Sequence, residues 1–393
     1  MMSIQSDCPH RERLGYGGDA LMSYESLATN FDTSLFHEKR VRDYGDDQRQ
    51  DGGLTETAPY VGMSDAGMSP QGGPIGWQSF FATGLAFGLR YHGNTAVVRD
   101  MYSKATAFIA LLRATPAASI ENGLGDWMTL EPSALGLTGW GFAFQCFSAY
   151  AALAEAVGDA PAAAAARADA ASAAATLNAK FLDAQGTPGL YRCSKAANCT
   201  SAQFNNTQCG QALPLYFGLV PPQLAPATLA LLVENLAAHG NHLQVGSFAV
   251  KYLLMALGDA GRADLSYAIM AQTAYPSFGY MLGMNATTAW ESWSYSDNTF
   301  SHNHPMFTSG STYLFQSLAG MRAAPGALGV DRLLLAPRPP RSPLGSLLCR
   351  QSGRRCGAGW PAPGATSTAQ PSSSTSPYPP MRRPCSPCPS PSG

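Results

Sequence analysis

The chain has 393 residues, of which 45% are hydrophobic and 13% charged, enough apolar material for one large core or two ordinary ones. A formal charge of −1 gives no field to hold nucleic acid or an anionic membrane, and no apolar run approaches the ~18 residues that span a bilayer. The opening MMSIQSDCPH shows neither the basic nor the apolar region of a signal peptide.

The first stretch that carries chemistry is DCPHRERLGYGGDA, residues 7–20. Asp7, Glu12 and Asp19 stand at offsets 0, 5 and 12, which no single helix face can gather. A loop can bring them to one point, with Gly15, Gly17 and Gly18 supplying the dihedral freedom. Taken alone, the stretch reads either as a solvated loop neutralised by Arg11 and Arg13 or as the rim of an acidic pocket. Converged carboxylates suit hydroxyl-rich ligands, and neighbouring negative charge raises one carboxyl until it can act as an acid. Arg11 moderates that rise.

From about residue 19 to 321 the chain reads as helix after helix. Apolar residues at helical spacing, rich in Ala, Leu and Met, predict helices over 77–93, 95–114, 141–159, 160–182, 211–220, 224–240, 247–259, 262–272 and 305–321. No strand pattern precedes GVDRLLLAPRP, residues 329–339. The succession predicts a superhelix or a closed helical barrel, and the lack of a fixed-period repeat disfavours a solenoid. Alternate connections are long and carry Trp, Asp, Glu and His: GGPIGW, ENGLGDWMTLEPS, YPSFGYMLGMNATTAWESW and SYSDNTFSHNH. Helix hairpins standing in a ring would bring those loops together at one end as a pocket.

Within these loops Glu291 stands between Trp290 and Trp293, either as a core cluster with Glu291 in solvent or as a sugar-stacking wall around a carboxylate. His302 and His304 lack a further ligand at metal spacing, so hydrogen bonding to a polar ligand is the expectation and no metal or cofactor is called for. Asp126 with Trp127, and Trp77, read equally as turn and core chemistry or as pocket lining. There is neither a phosphate-cradling loop nor a nucleophile elbow. The inventory is that of a glycosidase pocket: paired acids, further carboxylates for hydroxyls, and aromatics for ring faces.

Cys193, Cys199 and Cys209 cluster near sequons at Asn198 and Asn205, with a third sequon at Asn285, which suggests a secretory route and a Cys193–Cys199 disulfide while leaving the location open. Beyond Pro337 the chain is Pro/Ser/Arg/Gly-rich with no acid after Asp331, predicting disorder or a mis-translated end. Cys385 and Cys388 are half of a zinc motif without its other half.

In order along the chain, DCPHRERLGYGGDA, TETAPY, GGPIGW, NGLGDW, KYLLMALGDAGRADLSYAI, YPSFGYML, ATTAWESW and SHNHPMF resemble the motifs of bacterial-type α-L-rhamnosidases, glycoside hydrolase family 78, over roughly residues 3–337. The resemblance implies an all-α (α/α)6 barrel over 1–325, the start of a β-domain over 326–338, and a tail over 339–393 outside the family pattern. It also implies that the barrel's first helix and preceding β-sandwich domains lie outside this chain. The implied activity is inverting hydrolysis of terminal α-L-rhamnosides, with rhamnose-containing glycosides or polysaccharides as partners. By resemblance, Glu12 matches the general acid and Glu291 the general base. Asp7, Arg11, Asp19, Trp77, Asp126, Trp127 and His304 match substrate-binding positions, and His302 a variable one. Tyr16 replaces the family's usual Trp but keeps an aromatic wall. Two other readings remain: an inverting (α/α)6 glycosidase for a different sugar, and an inactive sugar-binding fragment.

Overall fold

The protein is described by a computed structural model covering residues 4–64, 67–132, 135–183, 186–192, 206–297 and 299–340. The proposed Cys193–Cys199 pair, the sequon asparagines 198 and 205, and the segment 341–393 with Cys385 and Cys388 lie outside those residues.

The helices in chain order are α1 (Gly17–Asn30), α2 (Ser34–Asp46), α3 (Ile75–Gln78), α4 (Phe80–Phe87), α5 (Thr95–Ala114), α6 (Ala117–Glu121), α7 (Leu135–Val157) and α8 (Ala160–Phe181). They continue with α9 (Gln208–Phe217), α10 (Ala225–Ala238), α11 (Ala249–Asp259), α12 (Ala263–Met270), α13 (Phe278–Gly283) and α14 (Ser311–Tyr313). Burial sorts them into two layers. In α5 the buried residues Val97, Val98, Met101, Ala105, Phe108, Ile109 and Leu112 form one stripe, as an outer helix requires. On α8 the stripe is Ala163, Ala166, Ala170, Ala173, Leu177 and Phe181, and its small residues let the helix lie close along α7. By contrast α11 is buried from Ala249 to Gly258 without a polar face, as an inner helix must be.

The inner helices close a ring. Contacts run from α1 to α4, α7, α9 and α11, then to α14 and the 3-10 segment Pro305–Gly310, which returns to α1. Outside it, α5 and α8 pack on α7, α10 on α9, and α12 on α11, while α2 covers α4 and α5. This is the closed alternative of the two architectures expected. No helix among the described residues is long and apolar enough to cross a membrane.

The elements depart locally from those expected. The helix expected over 77–93 is divided at Ser79 and ends in a π-turn over Gly88–His92. That over 305–321 begins as a 3-10 turn at Pro305 and ends in a π-segment over Leu314–Leu318, so only Ser311–Tyr313 is α-helical. A strand was expected only near 330, yet β1 (Met321–Ala323) precedes it and pairs antiparallel with β2 (Leu333–Leu335), Met321 opposite Leu335. A strand of three residues has too short a pattern to be read.

Candidate active site

Residues 7–14 close on themselves. The Asp7 N–H donates to the Leu14 carbonyl at 3.0 Å, Asp7 Oδ1 accepts the Leu14 N–H at 2.9 Å, and the Arg13 N–H donates to the Cys8 carbonyl at 3.1 Å. Residues 15–17 then run antiparallel to 56–58, Ala58 donating to the Gly15 carbonyl and Gly17 to the Glu56 carbonyl, each at 3.0 Å. A Cβ at Gly17 would fall 2.2 Å from the Trp77 carbonyl, and one at Gly18 2.9 Å from the Trp77 ring. These two glycines therefore let Trp77 press onto the start of α1. Asp19 belongs to that helix rather than to the loop.

A cavity of about 360 Å³ opens at this end of the ring, the size of a small-molecule site. The first segment contributes Asp7, Arg11, Glu12, Tyr16 and Asp19, and the 54–63 loop Glu56 and Met63. The long connections add Trp77, Leu124, Trp127, Glu291, Phe300, His304 and Met306. Loops more than 250 residues apart in sequence thus meet around one space, as the hairpin pattern anticipated.

Arg11 links the two acids singled out in the sequence. Its Nη2 lies 3.0 Å from Glu291 Oε2 and 3.2 Å from Oε1, and 3.5 Å from Glu12 Oε2, while Nη1 donates to the Thr299 carbonyl. Because one nitrogen touches both, Glu12 Oε2 and Glu291 Oε2 are at most ~6.5 Å apart, with the Arg11 guanidinium between them. Glu291 is buried and also accepts the Ser301 N–H at 2.8 Å. Its strand-like pairing with 301–304 (Glu291 N–H to Ser301 at 2.8 Å, His304 N–H to Ala289 at 2.8 Å) fixes the spacing of Glu291 and His304.

Glu12 is raised to about 7, first by desolvation, then by its hydrogen bond with Asp7 and the Asp7 charge, with Arg11 pulling the other way. Cys8 braces that pair: its thiol donates to Asp7 Oδ2 at 2.7 Å and its Sγ accepts the Glu12 N–H at 3.3 Å. Asp19 is held at about 6, pushed up by burial and pulled down by His304. His304 Nε2 stands 3.1 Å from Asp19 Oδ1, but the contact lacks hydrogen-bond alignment. Both His304 ring nitrogens and Asp19 Oδ1 have no hydrogen-bond partner among the described residues.

Eight of the nine expected site residues line the cavity; Asp126 does not. Its buried carboxylate accepts the N–H groups of Gly246 at 2.6 Å, Phe248 at 3.1 Å and Ala249 at 3.0 Å, tying the 122–132 loop to the start of α11. Burial nevertheless raises it to about 6. The stacking wall considered for Trp290 and Trp293 is also corrected. Trp293 is fully buried and donates to the Val245 carbonyl at 2.7 Å, and Trp290 is buried under a parallel His302 ring at 4.6 Å. The aromatic wall is instead Trp77 and Trp127, packed edge to face at 6.3 Å, with Tyr16 and Phe300. Sequence reasoning passed over Glu56, buried in the cavity wall, although TETAPY stood among the quoted motifs; a single glutamate among small residues carried no chemical signal.

Residues 1–318 match the family of bacterial alpha-L-rhamnosidase 6 hairpin glycosidase domains. An α-L-rhamnosidase of Streptomyces avermitilis is 28% identical over 358 residues, covering 86% of this chain and 32% of the relative. One of Formosa agariphila is 25% identical, covering 87% and 37%. The structure of α-L-rhamnosidase from Dictyoglumus thermophilum superposes with a TM-score of 0.75 at 29% identity, over 86% of this chain and 37% of that one. The Streptomyces avermitilis α-L-rhamnosidase complexed with L-rhamnose superposes at 0.74 and shares the fold at 24% identity. The chain spans about a third of the length of the curated relatives it matches. Closed inner ring, converging long loops and the match over residues 1–318 lead to one assignment: this chain belongs to the bacterial α-L-rhamnosidase six-hairpin glycosidase family.

Proposed function

We propose that the chain removes terminal α-L-rhamnose from rhamnosides by inverting hydrolysis. The observation that carries this reading is Glu12 and Glu291 on one cavity with the Arg11 guanidinium between them, and Glu12 raised to about 7. At neutral pH Glu12 is then protonated in a substantial fraction of molecules and can donate to the glycosidic oxygen. Glu291, oriented by Arg11 and the Ser301 N–H, takes a proton from a water on the opposite face of the ring. The water oxygen bonds to the anomeric carbon as the bond to the leaving oxygen breaks, so configuration inverts and both protons are accounted for.

Binding follows the same division of the walls. Asp7, Asp19 and His304 offer polar atoms to ring hydroxyls, and the unaligned Asp19–His304 contact leaves atoms that a ligand hydroxyl can satisfy. Rhamnose carries a methyl group at C6, and Met63, Leu124, Trp127 and Met306 are apolar lining of the cavity that can receive it. Asp126 acts in this reading as a positioning residue for Trp127.

The test is hydrolysis of p-nitrophenyl α-L-rhamnoside and the corresponding glucoside, with anomeric configuration followed by NMR. Release of β-L-rhamnose by wild type, loss of at least about 10³-fold in kcat in Glu291→Gln, and a comparable loss in Glu12→Gln on methyl α-L-rhamnoside, whose alkoxide leaving group needs the acid, while rhamnose still binds, are the expected result. Cleavage of the glucoside alone would assign a different sugar. Rhamnose binding by wild type with no turnover would make the chain a sugar-binding fragment.

A further inference from the structure

Glu291, the base of the proposed reaction, and His304 are held by a pairing of 289–291 with 301–304 that is out of step by one residue. Glu291 donates to the Ser301 carbonyl and His304 to the Ala289 carbonyl, each at 2.8 Å, so two steps along one segment face three along the other. Such a bulge changes the face on which the following side chains emerge. In regular pairing Asn303 would oppose Ala289, and His304 would emerge on the face away from Glu291. With the extra residue, Glu291 and His304 both line the catalytic cavity, and Trp290 and His302 do not. The looped-out residue is Asn303, which is exposed; its N–H donates to Ser301 Oγ at 3.0 Å and its carbonyl accepts from that hydroxyl at 2.9 Å.

We propose that His302 is a positioning residue: its ring, stacked on Trp290, fixes where the extra residue sits and so aims Glu291 and His304 into the cavity. The proposal rests on the rhamnosidase reading above. Between the two backbone pairs Trp290 stands opposite His302, and the rings lie 4.6 Å apart and 20° from parallel. Trp290 is itself fixed: it is buried, with Tyr280 edge-on at 6.3 Å and Tyr295 edge-on at 5.6 Å. Tyr295 is also tilted against the His302 ring at 4.9 Å, and the Thr288 hydroxyl donates to the His302 carbonyl. His302 Nε2 is buried with no hydrogen-bond partner among the described residues, so at that edge ring faces rather than a hydrogen bond hold the imidazole. A register slipped by one would set Asn303 against Trp290, an amide in place of a ring, so the stack selects the register seen. Neither His302 nor Trp290 touches the sugar in this reading. Their effect reaches the reaction through Glu291, and a base misplaced by about 1 Å from its water costs far more in rate than in binding.

The experiment follows hydrolysis of methyl and p-nitrophenyl α-L-rhamnosides, inhibition by rhamnose and thermal unfolding in wild type, His302→Ala, His302→Asn and His302→Phe. His302→Asn keeps a polar side chain without a ring, should His302→Ala not fold. The expected result is a fall of about tenfold or more in kcat in both ringless variants, with His302→Phe within about threefold of wild type. The loss in kcat should exceed the change in rhamnose inhibition, because Asp7, Arg11 and Asp19 hold the sugar from the first segment. A kcat within about twofold of wild type in both ringless variants overturns the proposal while the rhamnosidase reading stands, and so does a His302→Phe as impaired as they are. Equal losses in kcat and in rhamnose binding, or a lower melting temperature with kcat unchanged per folded molecule, would make His302 a structural residue only and overturn it too. Wild type that releases rhamnose from neither substrate overturns the rhamnosidase reading, and the role of His302 with it.

Discussion

At the scale of single residues, the site turns on how the acid pair is biased. After burial, the largest influence raising Glu12 is Asp7, through both hydrogen bond and charge. Substituting Asp7→Asn removes the negative charge, so Glu12 falls from about 7 toward its ordinary value. In the proposed acid role Glu12 must be protonated to act, so kcat/KM should decline as pH rises through its pKa. Its alkaline limb should therefore move to lower pH in Asp7→Asn, by about one unit, whatever happens to the maximal rate. Removing the Arg11 charge, as in Arg11→Met, should move the limb the other way. A pH profile with methyl α-L-rhamnoside, whose alkoxide leaving group needs a proton, reads both shifts, and a limb that stays put in Asp7→Asn would take Glu12 out of the acid role. The residues alone left 7–20 as either a solvated loop or a pocket rim, and it was the resemblance of the ordered motifs that singled out Glu12 and Glu291. The fate of Trp290 and Trp293 was not legible, since a tryptophan beside a glutamate looks the same whether its ring lines a cavity or sits in the core; only packing against Val245 and His302 decides it.

Secondary-structure elements show a similar split between what local pattern carries and what it cannot. The outer helices α5 and α8 were legible because each buries one stripe, whereas α1 opens on Gly17-Gly18, which mimics a turn, and buries nearly every residue through Ser26. Asp126 is the clearest case of a residue whose work belongs to an element. Its carboxylate takes three N–H groups at the start of α11, and the same loop is pinned by the Ser247 N–H on the Trp127 carbonyl at 2.8 Å and the Leu130 N–H on the Gln244 carbonyl at 2.9 Å. Gly246 lies so close beneath that a Cβ there would be 2.0 Å from the Trp127 carbonyl. Asp126→Ala leaves those N–H groups buried without a partner and should cost about 2 kcal/mol or more. Because the loop positions Trp127, rhamnose should also bind more weakly. Thermal unfolding together with rhamnose inhibition measures the two effects; a variant with unchanged melting temperature would contradict the role assigned to Asp126.

For the whole molecule, ring closure depends on groups that sequence order keeps far apart. Glu25 of α1 pairs with Lys251 of α11 and accepts hydrogen bonds from Tyr91, in the π-turn after α4, and from Gln316, in the π-segment after α14. Four parts of the inner ring therefore meet on one buried carboxylate, a convergence no local pattern could reveal. The Lys251 cation holds Glu25 down at about 2 against the opposing effect of burial. Lys251→Met strands that carboxylate in the core and should cost about 3–5 kcal/mol, whereas Glu25→Gln with Lys251→Met should recover much of it, because two neutral groups carry no ionic desolvation. The pH dependence has a definite sign. A carboxyl at about 2 in the folded chain and near 4.5 when unfolded stabilises the fold above 4.5 and loses that contribution as pH falls toward 2. In Lys251→Met, burial without the cation raises Glu25 instead, so its cost grows with pH. Denaturant unfolding of wild type and Lys251→Met from pH 7 down to 3.5 should show a gap that is widest at neutral pH and narrows in acid. A gap constant across that range would mean that the contact holds the ring by packing alone.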